Sequence, residues 1–86
     1  MAQYHVAFKP SADKALRKLP DAVQKRIAAA TKELRDNPRP RGCLKLEGAD
    51  DLWRIRVGDY RVVYQVAGKQ LVVVVVKIGH RKEIYR

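Results

Sequence analysis

The chain has 86 residues, 19 of them Lys or Arg against 9 Asp or Glu, a formal net charge of +10. That length fits a single domain over 1–86 with one small core, and the charge favours a phosphate-bearing or acidic partner. One cysteine, Cys43, excludes an internal disulfide and suits a reducing compartment. Residues 1–9 lack the apolar core of a signal peptide and the apolar run 71–76 is too short to span a bilayer, so a cytoplasmic protein with no membrane partner is expected.

Taken in order, YHVAF (4–8) alternates as a first strand, with His5 and Ala7 facing away from Tyr4, Val6 and Phe8. Ser11 is read as an N-cap, and Ala12, Ala15, Leu16 and Leu19 follow at the spacing of an amphipathic helix that Pro20 ends. Asp21 and Gln24 have the spacing of a capping box for a second helix, whose buried stripe is Val23, Ile27, Ala30 and Leu34. Lys25, Arg26, Lys32 and Arg35 between them are read as its solvated face. NPRPRG (37–42) stops that helix, because proline cannot continue one and biases the preceding residue towards extended geometry. A short strand over 43–46 then leads to the central hairpin, with Lys45 on the opposite side from Leu44 and Leu46 and a candidate for the basic cluster described next.

The hairpin is LWRIRVGDYRVVY (52–64). Trp53, Ile55 and Val57 alternate with Arg54 and Arg56, and Gly58-Asp59 reads as a two-residue turn in which Gly58 supplies a positive φ. Val57 is then opposite Tyr60, Arg56 opposite Arg61, Ile55 opposite Val62 and Trp53 opposite Tyr64. One face is apolar; the other carries Arg54, Arg56 and Arg61. Guanidinium groups directly across a strand pair repel by about 1 kcal/mol in water and by several times that where the effective dielectric is lower. A lone basic pair is as readily a solvated sheet face as a site, but three arginines at this register are a seat for a polyanion such as a nucleic-acid backbone. After a turn at 67–69, the strand 70–78 is apolar on both faces, so it is expected inside the sheet, beside the strand 60–66. Strands clustered after helices predict an α+β domain, two N-terminal helices packed on one face of a mostly antiparallel sheet.

The motifs exclude several chemistries. There is no phosphate-binding glycine loop, dinucleotide fingerprint or metal-ligand spacing, with only His5, His80 and Cys43 as soft ligands, and no serine or cysteine stands with a histidine and carboxylate as in a hydrolase. No metal and no cofactor are expected. Arginine, lysine, one histidine and tyrosines remain, a set suited to RNA cleavage, where the ribose 2′-hydroxyl is itself the nucleophile.

The segments KLEG, LWRIRVGDYRVVYQV and VVVVVKIGHRKEIYR, with the YHVAF strand and a helical hairpin ending in NPRP before them, resemble the toxins of the RelE/ParE superfamily, especially the RelE-type mRNA interferases. The resemblance runs through nearly the whole chain and implies a RelE-like β-α-α-β-β-β fold. It further implies a type II toxin that cleaves mRNA in the ribosomal A site, with ribosome and mRNA as targets and a cognate antitoxin wrapped around it in a higher-order hetero-oligomer. Catalytic positions of the family map onto Arg54, Arg56, Arg61, Arg81 and Tyr85, so Arg56, Arg61, Arg81, Tyr85 and His80 are the candidate catalytic residues, and Lys45, Arg54 and Lys77 the candidate RNA-binding ones. Family members often carry lysines where this chain has Arg54 and Arg56, one of them a candidate general base. Arginine holds a phosphate but is a poor base, which leaves His80, the side-chain type that titrates near neutrality. Two other readings stay open: a ParE-like toxin that binds DNA gyrase, and a non-enzymatic RNA-binding module.

Overall fold

A computed structural model of the chain describes residues 3–48, 51–80 and 82. Its elements are β1 (His5–Phe8), α1 (Pro10–Arg17), α2 (Asp21–Glu33), β2 (Leu44–Lys45), β3 (Leu52–Val57), β4 (Tyr60–Ala67) and β5 (Val72–His80). The sheet runs β1-β5-β4-β3-β2, parallel between β1 and β5 and antiparallel elsewhere. This is the expected α+β arrangement with one strand more than β-α-α-β-β-β, because Leu44 and Lys45 pair with Arg54 and Trp53.

The hairpin register is the one that the alternation of β3 and β4 requires: Val57 opposite Tyr60, Arg56 opposite Arg61, Ile55 opposite Val62 and Trp53 opposite Tyr64. Gly58 has φ +60° and Asp59 no positive φ, the pattern of a type II′ turn, whose twist matches that of the strands it joins. β5 lies between β1 and β4, as its two apolar faces demand. It begins two residues later than expected because Leu71 takes a left-handed φ of 55° and belongs to the preceding turn. Between Val63 and Tyr64 the β4–β5 register shifts, so that Lys77 pairs with Val63 and Val75 with Tyr64. Val76 is the extra residue of that bulge.

Both helices cover one face of the sheet. α1 packs on β5 and α2 on β3, and Ala12, Ile27 and Leu34 join Ile55, Val62, Tyr64, Val66, Val73, Val75 and Ile78 in a common core. Each such large apolar side chain contributes about 1.5–3 kcal/mol when fully buried. The helix starts differ from the capping reading. Pro10, not Ser11, opens α1 behind Lys9, and α2 follows Pro20 with no side-chain cap. Proline at or before the first turn costs no hydrogen bond, since those N–H groups have no partner within the helix. Gln24 accordingly does not cap its own helix: its Nε2 donates to the carbonyls of Leu19 at 2.7 Å and Arg17 at 3.3 Å, closing the end of α1.

Candidate functional site

The second face of the sheet carries the arginines. Pairing across three strands puts Arg56, Arg61 and Gly79 in one row and Arg54, Val63 and Lys77 in the next. Arg54, Arg56 and Arg61, with Gly42 and Leu44 from the approach to the hairpin, line a hollow of about 370 Å³. Gly42 turns the chain into β2 with a φ of 91°, and among the described residues beyond its chain neighbours no heavy atom lies within 4 Å of where its Cβ would be.

The three arginines are not equivalent. Arg56 is exposed and its Nε donates to the carbonyl of Gly58 at 3.2 Å, so its guanidinium bends towards the hairpin turn. Arg54 is half-buried. Arg61 is only 7% accessible. Its strand is interior, flanked by β3 and β5, and Val63 follows it on the same face, itself 7% accessible. Arg61 therefore has its stem packed among neighbours, with one Nη at 3.5 Å from the carbonyl of Tyr60. A planar guanidinium held at the base of a hollow, with another directly across the strand pair, is prearranged for a group with several anionic oxygens.

Two expected members stand on the other face. Lys45 pairs with Trp53, a core-side residue, and its neighbour Leu44 takes the place opposite Arg54. The alternation of Lys45 with Leu44 was legible, but its phase was not. The loop between β2 and β3 sets that phase, through positive φ at Gly48 and Asp51 and the hydrogen bond from Leu46 N–H to the Leu52 carbonyl. His80 pairs with Tyr60, which shares the face of Val57, whereas the arginine row ends at Gly79. Its ring meets that of Tyr60 edge-on at 5.6 Å, its Nδ1 accepts from the Lys82 backbone N–H at 3.3 Å, and it borders a cleft against Ala15, Lys18 and Leu19 of the α1 side. One residue of strand alternation thus separates His80 from the arginines. Arg81 and Tyr85 lie outside the described residues. Lys77 is on the arginine face and exposed.

The loop beside the hollow is fastened from the core side. Tyr64 is fully buried and its hydroxyl donates to the Pro38 carbonyl at 2.7 Å; Arg39 lies over the ring of Trp53 at 5.2 Å. Burial, with the Cys43 side chain close by, pushes the Tyr64 phenol well above its ordinary range. The segment that ends in Gly42 and Leu44 is thus held by contacts through the opposite face. Among the described residues no group of three or more His, Cys, Asp or Glu is placed to hold a metal ion, and no helix is long and apolar enough to cross a membrane.

The family model described as the ParE toxin of the type II toxin-antitoxin system parDE matches residues 6–85. The chain belongs to that toxin family. Within it this toxin is RelE-like. It is 38% identical over 82 residues to a putative RelE-like toxin protein of Escherichia coli, covering 93% of this chain and 85% of that one. It is 34% identical over 86 residues to the mRNA interferase toxin RelE of Escherichia coli K12, covering 95% and 90%. Its fold superposes on the archaeal RelE–RelB complex of Pyrococcus horikoshii with a TM-score of 0.83 at 38% identity, over 92% of this chain and 96% of that one. The intact Escherichia coli RelBE toxin–antitoxin complex gives 0.80 at 33% identity, over 90% and 95%.

Proposed function

We propose that this toxin is an endoribonuclease that cleaves mRNA on the ribosome, with the arginine face as its phosphate site. The observation that carries this reading is the hollow itself: Arg61 buried in an interior strand, Arg56 directly across from it and Arg54 beside them. Arg61 and Arg56 hold the scissile phosphate, while Arg54 and Lys77 follow the backbone on either side. The ribose 2′-hydroxyl gives its proton to water as its oxygen bonds to phosphorus, and the bond from phosphorus to the 5′-oxygen breaks as that oxygen takes a proton from water, giving a 2′,3′-cyclic phosphate and a 5′-hydroxyl. No metal is needed for this, because the nucleophile is already part of the substrate and the arginines stabilise the added charge. Arg81 and Tyr85 enter from the GHRKEIYR motif, Arg81 to neutralise charge as it develops and Tyr85 to position a base. His80 stands on the helix side of the sheet, and this reading gives it no part in holding the phosphate.

The reading extends to partners. The names of the relatives speak of mRNA interferases, and solved neighbours are toxin–antitoxin complexes. A net charge of +10 fits an acidic or amphipathic antitoxin segment, and the reading places the toxin in the cytoplasm in a complex of several such chains. The test is pulse labelling after induction without antitoxin, joined to cleavage of ribosome-bound mRNA by the purified toxin in the presence of a chelator. Methionine incorporation stopping first, with cuts in mRNA, is the expected result. DNA synthesis failing first while methionine incorporation continues would replace the nuclease with a gyrase-directed toxin.

A further inference from the structure

Two large apolar residues are conspicuously exposed among the described ones, Leu71 and Leu44. Leu71 sits in the turn before β5 with a left-handed φ, and its exposure follows from that turn. Leu44 has no such cause. It is 54% accessible, it extends from a two-residue strand at the sheet edge, and it stands opposite Arg54 as one wall of the hollow that Arg56 and Arg61 also line. The next residue, Lys45, is directed to the helix side by the same alternation. An apolar side chain is therefore the one presented among the cations at this edge.

A nucleotide has that pair of demands: anionic oxygens for guanidinium groups and, a few ångströms away, a flat weakly hydrated base that gains by leaving water. The hollow, about 370 Å³, is at the small end of the range of roughly 300–1,000 Å³ typical of ligand clefts, room for one nucleotide unit rather than a stretch of strand. Leu44 itself is more than half exposed, open to such a base. We infer that Leu44 is a base-packing residue, taking the nucleobase next to the phosphate that Arg56 and Arg61 hold. The inference rests on the arginine face binding RNA, and it adds an apolar specificity element to that face. Base packing of this kind is tolerant of sequence but sensitive to the presence of a base.

The experiment is equilibrium binding of a labelled single-stranded oligoribonucleotide, 2′-O-methylated so that it cannot be cut, alongside a series in which one position at a time is abasic. Leu44→Ala is expected to weaken the intact oligonucleotide by about 5- to 10-fold. One abasic position is expected to weaken the wild type by a similar factor, and on that oligonucleotide Leu44→Ala has no further effect. Leu44→Phe restores or exceeds wild-type affinity, and melting temperatures of both variants stay at the wild-type value because the side chain is exposed. Arg61→Ala, by contrast, weakens every oligonucleotide alike. Unchanged RNA binding by Leu44→Ala, losses that simply add at every abasic position, or an effect confined to the antitoxin complex would each overturn the inference. A wild type that binds RNA with this pattern yet does not cut ribosome-bound mRNA removes the nuclease reading and leaves the base wall standing. A wild type that binds none of the oligonucleotides yet cuts ribosome-bound mRNA removes the base wall and leaves the nuclease reading standing; one that neither binds nor cuts removes both.

Discussion

Arg61 and Tyr64 lie three residues apart on one strand, on opposite faces, and both are buried, at 7% and 0% accessibility. Their burial has different causes. Tyr64 is in the core on the face that the helices cover, and its one polar atom is satisfied by the Pro38 carbonyl, so water is excluded at little electrostatic cost. Arg61 is buried in an interior strand, on a face that keeps Arg56 and Lys77 exposed. The same interior strand thus gives a core residue on one side and a fixed cation on the other. The lesson is that a rigid site does not need its own scaffold: the core that stabilises one face sets the geometry of the other.

Substitutions on the two faces separate these roles. The largest effect is expected from Arg61→Ala: loss of a preorganised donor to a developing oxyanion costs about 100- to 1000-fold in cleavage rate, roughly 3–4 kcal/mol. Because the stem is packed, the variant also melts lower, unlike an exposed arginine, and Arg61→Lys recovers the melting temperature more than the rate. Single-turnover cleavage and calorimetry read the two effects apart. Tyr64→Phe is expected to lower stability by about 1–3 kcal/mol, since the Pro38 carbonyl is left without its donor, while the rate per folded molecule changes little. A rate loss larger than the stability loss would show that the loop ending in Gly42 and Leu44 shifts when its fastening is cut, and that the faces are coupled.

The Tyr64 phenol also gives the faces different pH behaviour. Its folded-state pKa lies above the ordinary value of 10.0, so above that pH the unfolded chain loses a proton that the folded chain keeps. The stabilisation is complete below pH 10 and declines as pH rises further. Tyr64→Phe should melt with a shallower alkaline dependence than wild type, measured from neutral pH to above that point; parallel curves would assign the alkaline loss to other groups. At the small end, Arg54→Ala is expected to weaken mRNA cleavage about tenfold through a lost phosphate contact, while Lys45→Ala stays within about twofold, because Lys45 is paired with Trp53 on the helix side. Equal losses from both would mean that nucleic acid reaches round the sheet edge.

Much of this molecule was legible in order along the chain. The two helix stripes, the glycine turn at 58, the register that sets Arg56 against Arg61, and the interior place of the valine-rich strand each follow from a local period that only one backbone geometry satisfies. The helix starts were misread because Ser11 and Asp21 have the residue type of a cap, whereas Pro10 and Pro20 settle the first turn by fixing φ, a covalent constraint stronger than a side-chain hydrogen bond.

What only the tertiary structure decided is phase and depth. Alternation says that Leu44 and Lys45 point apart, and that Gly79 and His80 do, but which of each pair joins the arginines depends on how each strand is aligned with its neighbour in the sheet. A shift of one residue exchanges the faces, and no local pattern registers it. Depth is likewise collective. Three arginines look alike in the sequence, yet they differ in burial because one strand is interior and the other has only the two-residue β2 beyond it. The chain by itself determined which residues form a cationic sheet face; the packing of its strands determined that Arg61 is the fixed member and that a leucine, not a lysine, stands at its edge.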